Sequence, residues 1–223
     1  MDYEKETRIA FRDTLKAKTY KEQYTKGLKW ARFTMWRERM CVENALKRCN
    51  LKIEDNILDI PCGTGLMFFV FSKFPFKVFA ADISLEMMSH AIEESEGLIV
   101  AGFALVDITN TPFARETFTC VVTNGLMHRL PDEIKKKALN EVSLISKRFL
   151  IVSYCVDSPM QRFKKRVIKM FRPAHIPAPA PASLQEIIRE FNSTELHVKK
   201  MYRIVNFLSA QVLFLLEKKV YES

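Results

Sequence analysis

Residues 56–67, Asn-Ile-Leu-Asp-Ile-Pro-Cys-Gly-Thr-Gly-Leu-Met, constrain the fold more than any other stretch. Ile57, Leu58 and Ile60 make the short apolar run of a strand buried on both faces, and Pro61, with no amide proton to give a ladder, ends it. Gly63 and Gly65 then let the main chain turn sharply and lie close to a ligand. Leu66, Met67, Phe69 and Val70 suit a helix packed back on the sheet and running to about Lys73. A strand, a glycine loop and a helix in that order bind a ligand at the carboxyl end of the strand. There, loop amides and a helix N-terminus favour negative charge.

The rest of the chain repeats this alternation. Residues 77–82 read as a second strand ending in Asp82, whose carboxylate can accept hydrogen bonds from both hydroxyls of a ribose. It could instead cap the next helix, but Ser84 is better placed for that, starting a helix over 84–95 with Met87, Met88, Ala91 and Ile92 inward. Further strands fall at 102–107, 117–124, 148–155, 196–205 and 211–218, with helices at 132–146 and 183–191. Upstream, a helix over 28–49 carries Trp30, Phe33, Met35, Trp36, Met40, Val42 and Leu46 at helical spacing, a pattern that predicts packing against the sheet.

A dinucleotide-binding loop would place a third glycine where this chain has Phe68, too bulky for close approach to a pyrophosphate. Asp59, Gly63 and Gly65 instead resemble the first motif of the class I S-adenosylmethionine-dependent methyltransferases, and Asp82-Ile-Ser with Met87 and Met88 resembles the second. The resemblance covers residues ~45–220 and implies a Rossmann-like, doubly wound α/β sheet of seven strands, the last antiparallel. It also implies S-adenosylmethionine as cofactor. Asp59, Pro61, Gly63, Thr64 and Gly65 would then wrap its methionine part, with Asp82 on the ribose, Ile83 and Met87 against the adenine, and Asp107 and Ile108 at the adenine amino group. Asn124 and the loop to Pro131 look like the fourth motif, which puts His128 under the sulfonium as candidate general base. Tyr20, Tyr24, His128 and Arg129 are the expected acceptor-side residues.

No Asn/Asp-Pro-Pro-Tyr/Phe follows the fourth strand, where Thr123-Asn124-Gly125-Leu126 stands, which argues against methylation of exocyclic adenine nitrogen or glutamine amides. The expected reaction is O- or N-methylation of a small-molecule or lipid-like acceptor. Pro61, a departure from the usual loop, leaves open a non-catalytic cofactor-binding scaffold of the same fold, and the charge leaves open RNA methylation as the weaker reading.

At 223 residues the chain reads as one core with decoration: an N-terminal helical cap over 1–50, and a methyltransferase domain over 51–223. The domain includes a helical, Pro-rich insertion over 159–183, after the fifth strand. There Arg162, Lys164, Lys165, Arg166, Lys169 and Arg172 are unrelieved by acids, with Phe163, Val167, Met170 and Phe171 on one helical face. With a net charge of +9, this run could be a lid, a patch for an anionic membrane surface or acidic substrate, or a solvated face. A charged amino terminus, no apolar run of ~20 residues and five cysteines without a paired spacing lead to an expected cytoplasmic or membrane-peripheral protein. No metal ligand set is expected.

Overall fold

A computed structural model describes residues 26–95, 100–157, 182–206 and 209–219, with helical positions Thr19, Glu22, Tyr24, Arg162, Arg166 and Met170 beside them. Tyr20 and most of the basic insertion lie outside the described residues. In chain order the elements are α1 (Lys29–Cys49), β1 (Asn56–Asp59), α2 (Phe68–Phe71), β2 (Lys77–Asp82), α3 (Leu85–Glu94), β3 (Val100–Leu105) and β4 (Phe118–Thr123). A 3-10 turn (Met127–Arg129) leads to α4 (Asp132–Ile145), β5 (Ser146–Cys155), α5 (Leu184–Asn192), β6 (Leu196–Arg203) and β7 (Gln211–Lys218).

The sheet has seven strands in the order β3-β2-β1-β4-β5-β7-β6. β1 to β5 pair in parallel, and β7 runs antiparallel between β5 and β6. Strand order reverses between β1 and β4, so the chain leaves these neighbours in opposite directions and a crevice opens past their carboxyl ends.

Alternation along the strands splits the core into two layers. Ile57, Cys120, Val122, Ile151, Leu213 and Leu215 face one side, where α1 and α2 pack through Val42, Leu46, Val70 and Phe71. Leu58, Val121, Leu150, Val152, Phe214 and Leu216 face the other, under Leu139 and Val142 of α4 and Ile187 and Phe191 of α5. On that side Tyr154 meets Phe191 and Phe214 edge-on at 5.4 and 6.2 Å, and its hydroxyl bonds Glu190 at 3.2 Å. Burial of Leu139 or Phe191 contributes roughly 2–3 kcal/mol each.

Helix ends follow local chemistry. Ser84 accepts from the Met87 amide at the start of α3, and Ser183 forms a capping box with Glu186 at the start of α5. Both starts agree with the sequence. The faces of two helices do not. In α1 the buried stripe is Met35, Glu38, Cys41, Val42, Ala45, Leu46 and Cys49, while Trp30, Phe33 and Trp36 stand exposed beside it. These aromatics share the helical period but lie off the stripe that meets the sheet. α2 is a single turn rather than a helix to Lys73; it buries Phe68 and Phe71 and leaves Phe69 61% exposed. Ile92, expected inward, is also exposed. β3 ends at Leu105, two residues before Asp107, so that acid belongs to a turn.

No helix among the described residues is long and apolar enough to cross a membrane. Nor does any group of His, Cys, Asp and Glu among them form a metal site.

Candidate active site

β1 register sets the first acid. Asp59, last in β1, lies level with Ala80 of β2 and Val122 of β4, so its side chain leaves the sheet at the reversal point and is fully buried. The chain then passes Pro61, and the Cys62 amide donates to the Ala81 carbonyl at 2.9 Å, holding the loop against the end of β2. Gly63 follows with φ +55°, which aims its amide at the Asp82 Oδ2 at 2.8 Å. The Ser84 amide donates to Asp82 Oδ1 at 2.9 Å. One carboxylate therefore ties the glycine loop to the start of α3. A carboxylate has about four lone-pair directions, so part of its accepting capacity remains for hydroxyl donors.

Gly65 has a different task. Its φ is +75°, and a Cβ there would stand 3.0 Å from the Phe68 ring and 3.2 Å from the Ala91 Cα. It lets the loop pack on its own helices rather than on a ligand.

Past β4 the Gly125 amide donates to Ser153 Oγ at 2.7 Å. The 3-10 turn then sends Met127 and Leu130 into the core, both buried, because residues three apart share a face in this helix type. His128 and Arg129, between them, line the crevice. From above, α1 is clamped down: Arg39 donates to the Leu66 carbonyl at 2.9 Å and Arg37 to the Ile204 carbonyl at 3.0 Å. This clamp brings Glu38 and Met35 to the same cavity.

The resulting cavity is about 160 Å³. It gathers Tyr24, Asp59, Pro61, Gly63, Thr64, Asp82, Ile83, Met87, Asn124, His128 and Arg129 from the residues expected on sequence grounds. Gly65, Asp107 and Ile108 are not among its walls. Asp107 Oδ1 instead accepts from the amide and hydroxyl of Thr109 at 2.9 and 2.8 Å, the ordinary work of a turn aspartate. Sequence reasoning missed Glu38 and Gln211. Glu38 did leave a signal, a carboxylate set in the apolar stripe between Met35 and Cys41. Gln211 left none.

Electrostatics set this cavity apart. Burial pushes Glu38 up to about 7, against hydrogen bonds from Asn124 and Gln211 and the nearby Arg129 charge. Burial, with Asp82 beside it, holds Asp59 well above the usual carboxylate range. Asp82 is raised by burial too, though the Ser84, Gly63 and Ile83 amides offset part of this. Burial and then Arg129 push His128 down to about 4, so its imidazole is neutral at physiological pH. Asp59 Oδ2, Thr64 Oγ1, Asn124 Oδ1 and His128 Nδ1 are all buried without a protein hydrogen-bond partner. Each such atom costs ~1–3 kcal/mol unless a bound molecule satisfies it.

Three carboxylates and one guanidinium line the walls. The expectation that the loop and its helix favour an anion therefore gives way: α2 is too short for a useful dipole, and the acids suit a ligand that carries positive charge and hydroxyls. A second depression, about 590 Å³, lies between α4 and α5 among Asp132, Lys136, Arg189 and Glu190; none of its described residues holds a buried polar atom lacking a partner.

Residues 57–148 match the family model described as a methyltransferase domain. Magnesium protoporphyrin IX methyltransferase from Synechocystis PCC 6803, solved with bound SAH, superposes at a TM-score of 0.78 and 14% identity, covering 95% of this chain and 98% of that one. The same enzyme with bound SAM gives 0.72 at 13% identity, covering 98% of each chain. A putative methyltransferase from Bacillus halodurans C-125 gives 0.62 at 14% identity, covering 79% and 98%. No curated protein matches the sequence significantly. The chain thus has the seven-stranded, Rossmann-like methyltransferase fold, and residues 57–148 match the methyltransferase-domain model.

Proposed function

We propose that this protein transfers a methyl group from S-adenosylmethionine to an oxygen or nitrogen of a small-molecule or lipid-like acceptor. The observation that carries this reading is the cavity at the β1/β4 reversal, where buried, unpartnered polar atoms converge with three carboxylates. When bound, the donor supplies an already activated methyl, so the protein's share is binding, alignment and proton management.

Asp82 offers its remaining accepting capacity to ribose hydroxyls while the Gly63 and Ser84 amides it accepts from hold the loop and α3 in place. Ile83 and Met87 supply the apolar wall for a purine. Gly63 leaves its backbone open to a ligand: even a Cβ added there would come no closer than 3.9 Å to its nearest neighbour, the Met87 side chain. Asp59 and Glu38 favour a cation. On the acceptor side, neutral His128 presents Nδ1 to a hydroxyl or amine proton, and Tyr24 and Arg129 line the same cavity. Such alignment at near-attack distance is worth ~7–11 kcal/mol, and proton removal adds a smaller factor.

Calorimetry with S-adenosylmethionine and S-adenosylhomocysteine tests the reading, followed by mass spectrometry of acceptors that gain one methyl. Saturable binding of both ligands and a methylated product support it. Binding with no transfer to any acceptor would leave a cofactor-holding scaffold, and no binding would refute the assignment of the cavity.

A further inference from the structure

Glu38 is the carboxylate of the cavity that no sequence motif marks. It comes from α1, packed down by Arg39 on Leu66 and by Arg37 on Ile204, so its position is fixed by the tertiary clamp. Asn124 from the end of β4 and Gln211 from the start of β7 hydrogen-bond it, and Arg129 from the 3-10 turn is the cation facing it. Asp59 and Asp82, at the ends of β1 and β2, line the same cavity, as do His128 and Tyr24. On its own helix Arg37 and Cys41 are its charged and titratable neighbours. Amides that can donate to an ionised carboxylate or accept from a protonated one make either state of Glu38 tenable.

Resting on the functional reading above, we propose that Glu38 is the charge-balancing group of the transfer: a carboxylate while the sulfonium is bound, and the holder of the acceptor's proton once that positive charge is gone. The acceptor's X–H bond breaks as X–CH3 forms, and the pair of the S–CH3 bond goes to sulfur. The proton ends on a carboxylate oxygen of Glu38. A sulfonium and a carboxylate become a thioether and a carboxylic acid, so the cavity holds the same net charge before and after. Its midpoint at about 7 suits Glu38 to exchange that proton with water at neutral pH. His128, pushed down to about 4, can accept a hydrogen bond from the acceptor but cannot keep its proton at that pH.

The test needs no acceptor. S-adenosylmethionine and S-adenosylhomocysteine share the same ammonium, carboxylate and adenosine, so titration of those groups cancels between them and only the sulfonium differs. Calorimetry on the unaltered protein, repeated in buffers of different ionisation enthalpy near pH 7, should count roughly half a proton released with S-adenosylmethionine beyond that with S-adenosylhomocysteine. The affinity for S-adenosylmethionine, relative to that for S-adenosylhomocysteine, should be about tenfold weaker near pH 6 than near pH 8. Glu38→Gln should still bind both ligands and lose this pH-dependent difference.

Equal proton counts for the two ligands would overturn the role of Glu38, as would a Glu38→Gln variant with an unchanged difference. Equal counts on the natural protein overturn the proposal even if that variant does not fold. Binding of neither ligand would sink the donor site itself and this proposal with it, an outcome distinct from binding of both without linkage.

Discussion

The two walls of the cavity are built by opposite means. The wall at the ends of β1 and β2 is backbone-held: Asp82 accepts from the Gly63 and Ser84 amides at 2.8 and 2.9 Å, and all the parts lie within residues 59–87. The wall opposite is side-chain-held, with Glu38, Asn124, Gln211, His128 and Arg129 arriving from α1, the turn after β4 and β7. The first arrangement leaves Asp82 with amide support for its charge. The second leaves Glu38 at about 7 and His128 Nδ1 without a protein partner. A wall that must present one fixed shape to a cofactor gains from amide bonds, which cannot change protonation. A wall that must exchange a proton needs groups held less firmly in one charge state.

Removing the carboxylate of the first wall should have the largest effect. Asp82→Ala strips the loop amides of their acceptor and the ribose hydroxyls of theirs, and the affinity for S-adenosylmethionine should fall about a thousandfold by calorimetry. Unchanged affinity would end the ribose assignment. His128→Ala probes the opposite wall: methyl transfer should drop about a hundredfold, with cofactor affinity held within about threefold. A comparable loss of cofactor affinity would place His128 in the wrong wall.

Glu38→Gln sharpens the contrast through stability. In the fold Glu38 titrates at about 7, against an ordinary 4.5, so between those values the folded chain binds more protons than the unfolded one. Stability owed to Glu38 therefore falls as pH rises through that window. The variant should gain about 3 kcal/mol relative to the natural protein between the bottom and the top of it. Denaturant melts at the two ends check this, and a constant difference would mean that Glu38 titrates as an exposed carboxylate.

Two glycines set the smaller effects. Gly65→Ala combines a positive φ with contacts of 3.0 and 3.2 Å and should cost about 3 kcal/mol. At Gly125 (φ +77°) an added Cβ meets nothing within 4 Å, so Gly125→Ala should cost only about 1 kcal/mol in the same melts. Equal losses would contradict the packing role given to Gly65.

The legible part of the molecule is the part whose cause is local. The apolar run before Pro61, the Ser84 cap and the apolar runs of β4, β5 and β7 each depend on neighbours a few residues away, and the seven strands with an antiparallel last strand agree with what the family resemblance implies. Misreadings came where a period was right but its phase was not. Trp30, Phe33 and Trp36 keep helical spacing yet lie off the buried stripe, and Phe68 and Phe71, not Phe69, carry α2 inward. Asp107 shows the same limit, because a strand that ends two residues earlier than expected leaves its carboxylate to Thr109.

What sequence alone determined is therefore the alternation of strands and helices, the glycine loop and the acid at the end of β2, because hydrophobic period and turn chemistry act over short range. Only the tertiary structure decided that Glu38 and Gln211 share a cavity with Asp59 and His128, and that its charge suits a cation. Those outcomes come from burial and from partners far apart in the chain, and neither property exists until the sheet has closed and α1 has been clamped across it.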